Sequence, residues 1–275
     1  MTEAAWLRTV TVMTVALGGL AAAAGLFWEP TGDPLAGRSD LYGVGLYRRD
    51  TAFTAGGAQG SDLLTLLAVV PAALWALAGR FERRRTLVLA AVHSWLLYLG
   101  ASLSFGAIAF NELFPLYVAL VPLSTIGLAL ALRGLGAPPA PRWLPAFLLA
   151  CGLVTGAAWS LLLWLEMATG AYPPATYCTA RTTYALDLGV IAPGCIAAAV
   201  ALWRGWSWGI ALAVPLLSIA ALLLPMMAFQ TVMQLRAGVA FGPEAAAPFL
   251  GFSVLSVGAT FFLWKLVSDA TQSKN

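Results

Sequence analysis

Residues 62–79, DLLTLLAVVPAALWALAG, run into Arg80-Phe81-Glu82-Arg83-Arg84-Arg85 and then into residues 86–109, TLVLAAVHSWLLYLGASLSFGAIA. Each apolar run is about twenty residues long, the length a helix needs to cross the hydrocarbon core of a bilayer. Four arginines packed into the turn between them read as a marker of the cytoplasmic side and as a contact for lipid headgroups. The apolar runs are continuous rather than alternating, which excludes a strand barrel with a polar lumen.

The same pattern repeats outward along the chain. Apolar segments at about 6–27, 62–79, 86–109, 113–134, 143–165, 184–203, 207–235 and 246–267 predict eight transmembrane helices. Composition agrees. Of 275 residues, 60% are hydrophobic and 10% charged, against about 25% charged in soluble domains. A water-soluble chain of this size could not hide so much apolar surface. The first run is too long for a signal-peptide core, and Trp28-Glu29-Pro30 follows it where small residues would precede a cleavage site. It is read as an uncleaved span. The expected fold is an all-α polytopic membrane bundle in the plasma (inner) membrane of a bacterium, in contact with membrane lipids.

Charge placement orients it. With the N-terminus inside, ten of the fifteen basic residues fall on the inner side, including Arg8, Arg80, Arg83, Arg84, Arg85, Arg133, Arg142 and Arg204. This predicts both termini in the cytoplasm. Nine of the twelve acids lie on the outer side. A net charge of +3 gives no reason to expect a nucleic-acid partner. Three cysteines, Cys151, Cys178 and Cys195, have no CxxC spacing and no disulfide framework.

The halves share ordered landmarks. The first span ends Phe27-Trp28-Glu29 and the fifth Trp164-Leu165-Glu166; each is followed by an outer loop with Tyr and Arg. Each loop leads to a span opening with an aspartate and carrying a proline, Asp62 with Pro71 and Asp187 with Pro193, and ending in a basic turn. The simplest account is a 4+4 duplication of equal orientation: residues 1–134 with the long outer loop 30–61, a linker at 135–142, and residues 143–275 with the outer loop 167–183.

Asp62 and Asp187 are the leading candidate site residues. Either they cap helix N-termini, or they sit below the interface and face a cavity between the halves, with Arg48, Arg49 and Arg181 as partners. Glu29 and Glu166, each beside a tryptophan, are either interfacial or part of a shared acidic mouth. Gly56-Gly57-Ala58-Gln59-Gly60 and Tyr42 to Asp50 form either a structured cap or a ligand loop; the second loop offers Tyr172, Tyr177 and Tyr184. His93, the lone histidine, is a packed core residue or a proton handler. Pro225 should free a carbonyl in the seventh span. Gln230 and Gln234, four apart on one face, either bond to a neighbouring helix or line a polar cavity with Asp187 and Asn111.

No metal motif, haem pair, Schiff-base lysine or serine-nucleophile motif is present, so no metal site is expected and no cofactor is assigned. Three functions fit: a transporter or binding protein for a small solute, ion or lipid, with its site on the outer side; a membrane enzyme acting on a lipid-linked substrate; and a non-catalytic subunit of a membrane complex.

Overall fold

The computed structural model describes residues 2–31, 41–106, 111–136, 140–169, 182–242 and 246–272. Among these there is no strand, and eight helices are long and apolar enough to span a membrane. The chain is a multi-pass membrane protein. The first span is α1 (Glu3–Phe27), capped by Thr2, whose hydroxyl accepts the Ala5 N–H. The second is composite: α2 (Ala52–Leu64), a π-helical segment (Thr65–Val69) and α3 (Val70–Leu77). The third and fourth are α4 (Arg83–Gly106) and α5 (Phe114–Leu135). The fifth is α6 (Leu144–Thr169). The sixth repeats the composite form, with α7 (Thr182–Leu186), a π-helical segment (Asp187–Ile191) and α8 (Ala192–Trp203). The last two are α9 (Trp208–Arg236) and α10 (Ala246–Gln272).

Proline explains the two π segments. It has no N–H for the carbonyl four residues back, and its ring crowds that carbonyl. In both spans the π segment ends one residue before the residue preceding proline, Val69 before Val70-Pro71 and Ile191 before Ala192-Pro193. The widened turn absorbs the misfit within the helix. In α9 the solution is different. Pro225 leaves the Ala221 carbonyl without its helical donor, and Ser256 of α10 supplies one at 2.7 Å.

The second span is longer than hydropathy indicates. Residues 52–61, expected in the outer loop, are helical. Their glycines and polar residues carry little apolar signal. The helix starts at Thr51, whose hydroxyl accepts the Thr54 N–H, and holds its shape by packing. Gly56 and Gly60 lie flush against the backbone of α9 at Gln234 and Gln230, where any side chain would overlap it. These glycines are therefore a helix-packing surface rather than a ligand loop, the small-residue device of membrane helix pairs.

Within the first half α1 packs on α2 and α5, and α4 on α3 and α5; within the second, α6 packs on α8, and α9 on α8 and α10. Across the halves α9 packs closely on α2 and less extensively on α4, and α4 meets α7 only lightly. Arginines cap the second span: Arg8 of α1 donates to the Leu77 and Gly79 carbonyls (2.8 and 3.1 Å), and Arg85 of the basic turn donates to Trp75 O while covering the Trp75 ring. Cations at helix carbonyl ends complement the negative pole.

Candidate functional site

Two acid-centred sites emerge, one in each half. In the first, the early start of α2 carries Asp62 into the middle of a helix, three turns in, instead of at its opening. A capping role is excluded there. Its side chain is 1% exposed, and its Oδ2 accepts a hydrogen bond from the Tyr47 hydroxyl at 2.8 Å. Gly25, in the last turn of α1, makes the space; a methyl group there would overlap the Asp62 carboxylate and the Tyr47 hydroxyl.

The loop that brings Tyr47 is folded by its own backbone. Tyr42 N–H donates to Asp50 O and Gly43 N–H to Arg48 O, with Gly43 and Gly45 at positive φ where only glycine is unstrained. Arg48 is buried and grips Glu112 (Nη2 to Oε1 2.5 Å) rather than Asp62. Burial raises the Glu112 carboxyl, but the Arg48 hydrogen bond and the charges of Arg48 and Arg49 outweigh it and hold it below the usual range. Asp50 is buried, which pushes its carboxyl up to about 6. Tyr47 is held above the ordinary phenol range by burial, then by the neighbouring Asp62 and Tyr117. The Tyr117 hydroxyl is fully buried, with Tyr47, Asn111 and Asp62 around it, and meets none of them in good hydrogen-bond geometry.

In the second half Asp187 begins the π segment, one turn into the sixth span rather than at its head. Its Oδ2 accepts the Trp159 indole N–H at 2.8 Å. Trp159 stacks against Tyr184 (centroids 4.5 Å apart), and Tyr184 donates to Glu166 at 3.4 Å. Asp187 lines a cavity whose water-accessible volume is about 40 Å³, together with Tyr98 of α4, Thr155, Cys151 and Cys195, and apolar residues of α9 and α10 such as Phe252. That is room for a few waters or a small polar group.

The expected residues are thus divided. Asp62 does not line the cavity beside Asp187. Gln230 donates to Ser61 Oγ at 2.9 Å and Gln234 to Phe53 O at 3.1 Å, so both join α9 to α2 and serve as interhelical bonds. Asn111 accepts the Leu113 N–H at the start of α5. Glu29 is exposed beyond the end of α1. Arg49 is half-buried near Glu112. Arg181, Cys178, Tyr172 and Tyr177 lie outside the described residues. His93 is fully buried, with Nε2 2.9 Å from Thr11 Oγ1 and its ring fitted over Gly127. Among the described residues no group of three or more His, Cys, Asp or Glu could hold a metal ion.

Tyr47 as the donor to Asp62, Gly25 as its seat, and Trp159 and Tyr98 beside Asp187 were not among the residues singled out from sequence. The signal for Gly25, Tyr98 and Trp159 is glycine or aromatic placement in apolar runs, which ordinary packing also produces, and Tyr47 stands in the Tyr42 to Asp50 loop with nothing local to pair it with Asp62. No family, no curated protein and no solved structure matches this chain.

Proposed function

We propose that this membrane protein binds a small solute in the cavity beside Asp187 and passes it between its two halves, from a site on the extracytoplasmic side. The observation that carries the reading is a carboxylate at membrane depth opening on a cavity among α6, the sixth span, α9 and α10, which Tyr98 of α4 closes from the first half. A carboxylate in the hydrocarbon layer is costly and is placed where a path or ligand needs it. The lining is mostly apolar, with the Asp187 carboxylate, the Tyr98 hydroxyl, Thr155 and two thiols as its polar points. This is the usual make-up of a small-molecule site.

A 4+4 duplication of equal orientation supports the reading. Each half has a span interrupted by a π segment ahead of a proline, and neighbouring spans pair in a similar order within each half. Sites between such repeats suit alternating access.

Cys151 and Cys195 line the cavity and report on it directly. In a Cys178→Ser background, a small cationic methanethiosulfonate should modify these thiols at least about tenfold faster than its sulfonate analogue, because the carboxylate attracts cations into a low-dielectric cleft. Asp187→Asn should erase most of that preference. Thiols that react with neither reagent in the folded protein would mean a sealed void, and the reading would fail.

A further inference from the structure

The sealed acid of the first half, which the solute reading does not use, carries its own inference. Three observations converge on Asp62. The first is electrostatic. α1 ends at Phe27, and the capping N–H of Trp28 returns to Ala24 O. The carbonyls of Gly25, Leu26 and Phe27 therefore lack intrahelical donors, and the negative pole of the helix lies there. Gly25 brings this end of the helix flush against the Asp62 carboxylate. A charged carboxylate at the negative end of a helix is destabilised unless a cation or a bound proton neutralises it.

The second is the lack, among the described residues, of a counter-charge on Asp62. Asp50 and Asp62 are both buried in this cluster, and Tyr117 lies within electrostatic reach of both. Arg48, the buried cation nearby, is committed to Glu112. The Tyr47 hydroxyl donates to Asp62 and brings no positive charge. The third is the Tyr117 hydroxyl. It is 0% exposed and completes no hydrogen bond of good geometry, although the Tyr47 hydroxyl and Asn111 lie within reach and buried polar atoms nearly always find partners. An oxygen left open in a nest of oxygens is poised to coordinate.

We propose that a dehydrated monovalent cation of sodium size binds between Asp62, the Tyr117 hydroxyl and the carbonyl end of α1. The donor set is all oxygen, as a hard cation requires. It lacks the cluster of acids a divalent ion demands, since no group of three acidic or other metal-binding side chains occurs among the described residues. Helix carbonyl ends at membrane depth hold coupling sodium ions in the same manner. The site stands independently of the cavity at Asp187; in a transporter it would supply the ion gradient's grip on the protein.

The test is binding of radioactive ²²Na⁺ to the full-length protein in detergent, measured by scintillation proximity against unlabelled Na⁺ and against choline. Wild type should bind saturably. Asp62→Asn should weaken binding by about tenfold or more, and Tyr117→Phe, which keeps the ring and its packing, by about threefold to tenfold. Na⁺ should also raise the melting temperature of wild type relative to choline at equal ionic strength, by mass action on the folded state. Absence of saturable ²²Na⁺ binding in wild type overturns the proposal. So does a Tyr117→Phe protein that elutes as wild type and binds Na⁺ with unchanged affinity, which decides the matter even if Asp62→Asn fails to fold. Absence of the cationic thiol preference in the Cys178→Ser protein, with ²²Na⁺ binding intact, would reject the solute cavity alone.

Discussion

At the α2–α9 crossing, glycine backbone lies against glutamine backbone, with two amide side chains bonded across the seam. Where α4 meets the sixth span, the counterpart of that crossing under a 4+4 repeat, contact with α7 is light, and a cavity lies between Tyr98 of α4 and Asp187 of the π segment. Burial follows the same division: half of the second span (50%) is buried against 28% of the sixth. Both spans contain a proline, a π segment and an aspartate, so these elements alone do not decide whether an acid is sealed or accessible. The neighbour does. Glycines 56 and 60 close one seam along the backbone of α9, while on the other a single glycine, Gly106 of α4, meets the Thr182 side chain of α7.

The sharpest way to break this contrast is at the glycines. Gly60→Val should push α9 away from α2 and cost about 3 kcal/mol or more, since a side chain there meets backbone that cannot move aside. Gly189, in the π segment of the sixth span, faces open space, and Gly189→Ala should leave stability within about 0.5 kcal/mol. Thermal unfolding of the two purified variants checks both. Equal losses would mean that the seams are packed alike.

The next effect separates the acids by pH. Burial raises the Asp50 carboxyl to about 6, above the ordinary value of 3.8, so the folded chain holds its proton more tightly than the unfolded one. Its contribution to stability is present at about pH 4 and is lost as pH rises through about 6, by at most about 3 kcal/mol. Melting in sodium-free buffer should show this decline, and Asp50→Asn should flatten it. A wild-type profile that rises over the same interval would contradict the assigned burial.

The smallest contrast concerns the donors. Tyr47→Phe removes the hydroxyl that donates to a fully buried carboxylate and should cost about 1–3 kcal/mol. Trp159→Phe removes the indole donor to Asp187, whose cavity can admit water in its place, and should cost less than the Tyr47 change. The comparison is made on the same denaturation scale, and the reverse order would place the sealed acid in the second half.

Much of the architecture was legible because lipid imposes length. Apolar runs fixed by bilayer thickness located all eight spans, mostly within a few residues. The start of the second span was not legible, since residues 52–61 have helical packing but no hydropathy to announce it. That error placed Asp62 at a helix head instead of inside one. Charge complementarity also misleads: the shared outer side points to Asp62 as a partner for Arg48, yet the fold brings Glu112 to it from sixty-four residues away. Gln230 and Gln234 were legible as one face because helical spacing is local. What they face depends on which helix comes to meet them, and that is not a local property.

The π segments have a geometric corollary. Each takes up an additional residue in its widened turn, so the part of the span on its loop side is rotated by about 100° from where an uninterrupted α-helix would carry it. Counted from the prolines, Asp187 then corresponds to Thr65, which accepts the Trp95 indole N–H at 2.9 Å much as Asp187 accepts that of Trp159, and Asp62 corresponds to Tyr184. The two acids stand one helical turn apart in depth. Migration of either bulge along its span would swing the acid-bearing segment around the helix axis while the arginine-capped segment stayed in register, a swivel built into a continuous rod.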